Sequence, residues 1–165
     1  MDPIPTDDRL ISWHLAELEA AYWYDVDHNW GRRARESYVE NAVFDLGVAN
    51  DTRYVGIEQI ERFYRWREGR GDRTARHLIA NLTAEIVAGG TAHVRYIMSL
   101  FAEDGPPVRP SKPPILIADV SVAWTLCSDG RWRAVERKLA PVFMGGAKPT
   151  AMKIEQAEQR GGSSS

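Results

Sequence analysis

The chain has 165 residues, 44% hydrophobic and 27% charged, with a net charge of −2; that is enough for one sizeable core, and too even a balance for global disorder or a nucleic-acid surface. A single cysteine, Cys127, excludes an internal disulfide framework and a cysteine-built zinc site. No run of 18 apolar residues occurs and the start is acidic and proline-bearing, so we expect no membrane span, no secretory leader and a cytoplasmic protein.

Thr6-Asp7-Asp8 supplies cap-type residues and negative charge where a helix dipole is positive, and Ile11, Leu15, Leu18 and Tyr22 then recur at helical spacing. The spacing predicts a helix over residues 7–26. Asp27 or Asn29 can cap a second, short helix over 32–38. Residues 41–46 read as a strand entering a Gly-Val-Ala-Asn-Asp loop; Ile57, Ile60 and Tyr64 restore the helical period until Gly69 and Gly71 end it. The remainder reads as β. Strands are expected over 76–87, 91–102, 115–127 and 132–139, joined by Ala88-Gly89-Gly90, by a proline-rich loop over 104–114, and by Asp129-Gly130. Residues 1–148 are expected to form one domain and the polar residues 149–165 a mobile tail. Helices first and long antiparallel strands later imply an α+β fold, a strongly curved sheet wrapped around N-terminal helices, with a mouth that holds a small molecule.

Tyr22-Trp23-Tyr24-Asp25-Val26-Asp27 loads carboxylates and phenols onto the end of an apolar helix, and His77 opens a strand fifty residues on. An acid that orients an imidazole is the minimum equipment for proton abstraction. Each residue also has a plain reading: Asp27 as a helix cap, His77 as a hydrogen-bonded rim residue, and Tyr22 and Tyr24 as core aromatics with satisfied hydroxyls. Tyr22 falls on the inward stripe of the helix, whereas Asp25 is expected in solvent. Strand parity puts Ile79 and Asn81 on the side of His77. The other side (Leu78, Ala80, Leu82, Ala84) is equally apolar, which implies a second covering layer such as another subunit. Asp119 and Ser121 share a face that we assign to the cavity, and Trp66 and Met98 are candidates for its mouth. Trp124, Trp132 and Phe101 are read as core or interface.

The succession Asp27-His28-Asn29-Trp30, Ala42 to Gly47, Gly56-x-x-x-Ile60, Arg76-His77-x-x-x-Asn81-Leu82 and Asp129-Gly130-Arg131-Trp132-Arg133 with Glu136-Arg137 resembles the SnoaL-like branch of the NTF2-like superfamily, over roughly residues 10–145. Within that branch it is similar to the scytalone dehydratases, γ-hexachlorocyclohexane dehydrochlorinases and bile-acid 7α-dehydratases. The resemblance implies a cone-shaped α+β barrel and a cofactor-independent lyase or isomerase acting on a small, largely apolar molecule, with no metal. Asp27 would orient His77 as the base; Tyr22 or Tyr24 would meet the developing oxyanion or the leaving group; Asn81, Asp119, Ser121, Trp66 and Met98 would contact substrate. Dehydratase-like elimination is favoured, with isomerisation or cyclisation as close relatives. A homodimer or homotrimer is expected, with no nucleic-acid or membrane partner. The second histidine of scytalone dehydratase is not carried over, because His93 sits at the start of its strand. Two other readings stay open: a non-catalytic subunit of the ring-hydroxylating dioxygenase kind, and a small-ligand-binding module.

Overall fold

A computed structural model describes residues 7–49 and 52–145. Helix α1 (Asp8–His28) starts where the Asp7 carboxylate accepts the Arg9 N–H at 2.8 Å, and it buries Ile11, Leu15, Glu19, Tyr22, Trp23 and Val26 along one stripe. A 3₁₀ turn (Ala34–Ser37) leads to β1 (Tyr38–Asp45) and β2 (Arg53–Val55). Helix α2 (Ile57–Glu68) follows, then β3 (Arg73–Val87), β4 (Thr91–Asp104), β5 (Leu116–Leu126) and β6 (Trp132–Met144). The strands form one curved six-stranded sheet in the order β2-β1-β6-β5-β4-β3, antiparallel except where β1 runs parallel to β6. The expected cone-shaped α+β architecture is what the chain adopts. No helix among the described residues is long and apolar enough to cross a membrane. The tail over residues 149–165 lies outside the described residues.

The short helix expected over 32–38 is reduced to the single 3₁₀ turn at Ala34–Ser37. Helix α1 runs on to His28, and Trp30 (φ 62°) and Gly31 (φ 72°) then turn the chain in the left-handed region. A Cβ on Gly31 would collide with the Tyr64 ring, so the turn is packed directly against α2. That leaves room for one 3₁₀ turn before Tyr38 pairs with Ala134 in the sheet. Strand β2 is an addition to the expected elements, since three residues are too few to show a pattern in sequence.

Two bulges decide which side chains face the helices. On β3, His77 pairs with Leu100 and Ile79 with Met98, but the register slips between Ala80 and Thr83. Asn81 there has φ 54°, a conformation its short polar side chain tolerates. The slip reverses the alternation, so Leu82, Ala84 and Ile86 turn toward the core while Asn81 is exposed on the outside. The expected parity of Asn81 with His77 is therefore corrected. The apolar pattern on both sides of this strand is mostly one face seen before and after a bulge. Leu78 and Phe143 remain as large exposed apolar residues on the outer side. On β6 a slip between Ala134 and Glu136 likewise turns Arg137, rather than Glu136, into the core.

Replacing Asn81 by valine should destabilise the fold by about 1–2 kcal/mol, the cost of a β-branched residue in the left-handed region, whereas Asn81→Gly should be near neutral. Urea unfolding of the two variants checks this. Equal stability of the valine variant and the parent would mean that the bulge is not fixed by this residue.

Candidate active site

Asp27 lies in the last turn of α1, on the side that packs against β3. It caps no helix. Both of its oxygens go to one residue: Oδ1 is 2.6 Å from His77 Nδ1, and Oδ2 accepts the His77 backbone N–H at 2.7 Å. Both side chains are nearly buried. A carboxylate only accepts, so the proton sits on Nδ1 and Nε2 is left as the basic nitrogen. The Trp23 indole stacks on the imidazole with 4.3 Å between centroids. Backbone, carboxylate and indole together fix the ring on three sides.

Behind this pair lies a polar network in the core. Trp23 Nε1 donates to the Tyr96 hydroxyl at 2.7 Å, and that hydroxyl donates to Glu19 at 2.9 Å. Glu19 also accepts from Trp124 Nε1 at 3.1 Å and pairs with Arg137; both charged side chains are completely buried. The Arg137 guanidinium lies 3.9 Å from the Tyr22 ring centroid and donates to the Tyr38 hydroxyl at 3.0 Å. Burial opposes the charge on Arg137, but Glu19 and the surrounding phenol oxygens outweigh it and raise its pKa further. No local pattern in the chain signals this network: Glu19 sits beside Leu18 on the helix, and Arg137 faces inward only because of the β6 bulge.

His77 lines a cavity between the helices and the sheet, together with Trp23, Phe63, Met98, Leu100 and Arg67. The cavity is small, about 50 Å³. It holds a few waters or the reacting end of a larger molecule, and not a whole drug-sized ligand. A larger cleft of about 640 Å³ lies against the other side of α1, near Trp13 and Trp132. Part of its polar lining is committed elsewhere: Asp25 caps the turn after α1 by accepting from Asn29 Nδ2 and Arg33 N, and Arg33 pairs with Glu36 at 2.8 Å. The smaller cavity is the one that carries an aligned acid and base.

Of the candidate site residues singled out in the sequence, His77 and Met98 line this cavity and Asp27 reaches it only through His77; the rest do not. Tyr24 is 66% exposed and stacks on His28, so a part in chemistry at the cavity is corrected. Tyr22 is buried as expected, but its hydroxyl contacts those of Tyr38 and Tyr64, and burial raises its pKa well above 10.0. It belongs to the supporting network and not to the cavity wall. Asn81, Asp119 and Ser121 lie together in a shallow depression on the outer face of the sheet, because the β3 bulge and the alternation of β5 turn them away. Trp66 is half-buried on α2, stacked near Phe63 with the Arg70 guanidinium over it, and does not line the cavity. Asp25, expected in solvent, is half-buried as the turn's cap.

Arg67 is the residue that sequence reasoning misses. It stands in the last turn of α2, where cations are common, so its position in the chain draws no notice. In the fold its guanidinium lies 5.8 Å from the ring centroids of both Phe63 and Tyr64 and lines the cavity with His77. Arg73, the other cation there, is bonded to Asp104 at 2.6 Å.

Burial lowers the pKa of His77 from its ordinary 6.5, and Arg67 and Arg73 push the same way against the raising effect of Asp27. The unfolded chain therefore takes up a proton near pH 6.5 that the fold refuses until lower pH. The associated stability is complete above 6.5 and is lost as pH falls from there through the folded value. For Asp27, burial alone would raise the pKa, but the two hydrogen bonds and the charge of His77 outweigh it, and the value drops below 3.8. We expect the His77 ring resonances to titrate with a midpoint below 6.5 in an NMR pH series. A midpoint above 6.5 would show that the pull of Asp27 exceeds the effect of burial.

The SnoaL-like domain family matches residues 12–138. No curated protein matches the chain by sequence. Solved structures similar in fold include a candidate scytalone dehydratase from Novosphingobium aromaticivorans, at 19% identity over 91% of this chain and 97% of that one, with a TM-score of 0.72. The β subunit of a candidate aromatic-ring-hydroxylating dioxygenase from the same organism is 14% identical over 88% and 98%, with a TM-score of 0.68. Aln2 from a Streptomyces species is 19% identical over 84% and 94%, with a TM-score of 0.66.

Proposed function

Because the chain belongs to the SnoaL-like domain family, we propose that it is a lyase or isomerase that takes a proton from carbon by side-chain acid–base chemistry. The observation that carries this reading is the 2.6 Å contact of Asp27 with His77 at the wall of an apolar cavity. His77 Nε2 removes a proton from a carbon made acidic by a neighbouring carbonyl. Asp27 holds the tautomer and stabilises the imidazolium that forms. Elimination of a small leaving group then follows in the dehydratase sense, with isomerisation or cyclisation as alternatives that share the first step. The substrate is largely apolar, in keeping with Trp23, Phe63, Met98 and Leu100 around the base. A cytoplasmic homo-oligomer is part of the same proposal.

The test needs no knowledge of the natural substrate. In D₂O, the protein should speed hydrogen–deuterium exchange at the α-carbons of 2-tetralone, an enolisable bicyclic ketone, well above the buffer rate. Exchange no faster than buffer would sink the reading. A second reading is favoured by the small size of the cavity and by the fold shared with a dioxygenase β subunit: a non-catalytic subunit, in which the pair only ties α1 to β3. That reading expects no exchange.

A further inference from the structure

Arg67 lines the same small cavity as His77, with Phe63, Met98 and Leu100, and its guanidinium lies 5.8 Å from the ring centroids of Phe63 and Tyr64. Among the described residues no carboxylate or carbonyl is hydrogen-bonded or ion-paired to it, whereas Arg73 beside it is paired with Asp104. A guanidinium stays protonated in a protein interior, and leaving it without an acceptor there is unfavourable. Arg67 is half-buried and lines the cavity, so the cavity is a side from which an acceptor can reach it. Neither tyrosine singled out in the sequence competes for this role, since Tyr24 lies in solvent and Tyr22 within the phenol cluster.

Building on the proton-abstraction reading, we propose that Arg67 is the oxyanion-binding group of this site, so that the substrate is an apolar molecule whose carbonyl oxygen enters the cavity toward Arg67. In the step this implies, the α C–H bond breaks and its proton goes to His77 Nε2. The electron pair becomes the new C–C π bond, and the carbonyl π pair moves onto oxygen, which faces the guanidinium as an enolate. Charge appears on that oxygen only as the proton leaves, so a fixed cation in an apolar site favours the transition state over the ground state. Because Phe63 and Tyr64 flank its guanidinium, Arg67 need not reorganise when this happens.

The experiment uses a stable stand-in for the enolate and no turnover. The purified protein is titrated, at a mildly alkaline pH, with 4-nitrophenolate and with neutral nitrobenzene. The phenolate should bind about 10- to 100-fold more tightly than nitrobenzene, as expected for a charge-assisted bond in a dry site. Arg67→Met, which keeps the stem against the two rings, should abolish that preference and leave nitrobenzene binding unchanged; Arg67→Lys should restore part of it. Equal affinity for the two probes, or a preference that survives in Arg67→Met, overturns the proposal. Near-UV circular dichroism confirms that each variant is folded. Because binding is read without catalysis, the result bears on Arg67 whatever the exchange assay says of His77.

Discussion

Glu19→Leu should cost the fold about 3–5 kcal/mol, the largest single-site effect we expect on stability. Glu19 and Arg137 are both completely buried and paired. The attraction of such a pair roughly offsets the cost of drying both charges, so the pair adds little as a unit. Removing one member leaves the other's desolvation uncompensated. The environment sharpens the effect here, because Arg137 Nη2 already lacks a partner among the described residues and Trp124 Nε1 would lose its acceptor. The double variant Glu19→Leu/Arg137→Met should recover much of the loss, since it replaces two charges by apolar groups of similar reach. Urea unfolding of the singles and the double forms the cycle. A single variant that loses less than about 1 kcal/mol would contradict the account. The consequence reaches toward the candidate site: without Glu19 the Tyr96 hydroxyl, which accepts from the Trp23 indole stacked on His77, loses its own acceptor.

His77→Gln should slow α-proton exchange of 2-tetralone by about 10²–10⁴-fold, the usual contribution of a positioned general base. Glutamine keeps polarity and approximate size but has no nitrogen basic enough to take the proton. Asp27→Asn should act through the same residue and fall short of the same loss. An amide can still accept one of the two His77 hydrogen bonds, but it no longer carries the charge that stabilises the imidazolium. The pair should also be strongly non-additive, because the aspartate has no function once the imidazole is gone. Unchanged exchange in His77→Gln would leave the contact as a structural tie between α1 and β3.

Much of the architecture is legible in the chain because it rests on short-range pattern. The stripe from Ile11 to Tyr22 marks α1, the Ile57–Tyr64 period marks α2, and Ala88-Gly89-Gly90 and Asp129-Gly130 place two hairpin turns between the expected strands, although β3 starts earlier, at Arg73, and β6 runs on to Met144. The errors fall where local pattern and tertiary pairing part company. Residues 32–38 offer a helix start but are needed for the tight turn at Gly31 and the entry into β1. Residues 76–87 look apolar on both faces until a bulge at Asn81 is known. Asn81 is expected inward on an alternation that the bulge interrupts, and Asp119 and Ser121 are expected inward although the regular alternation of β5 puts them on the outer face.

Local pattern thus sets the helix–sheet order, carries the family resemblance, and marks which acid and which imidazole stand at element ends able to meet. It took the folded arrangement to send both oxygens of Asp27 to His77, to remove Tyr22 and Tyr24 from the cavity, and to bring Arg67 into it. The difference is one of range. Helix and strand periods act over a few residues and are written in the chain, whereas a side chain's partner depends on register. In this sheet, a one-residue slip at Asn81 or beside Val135 reverses which groups face the core.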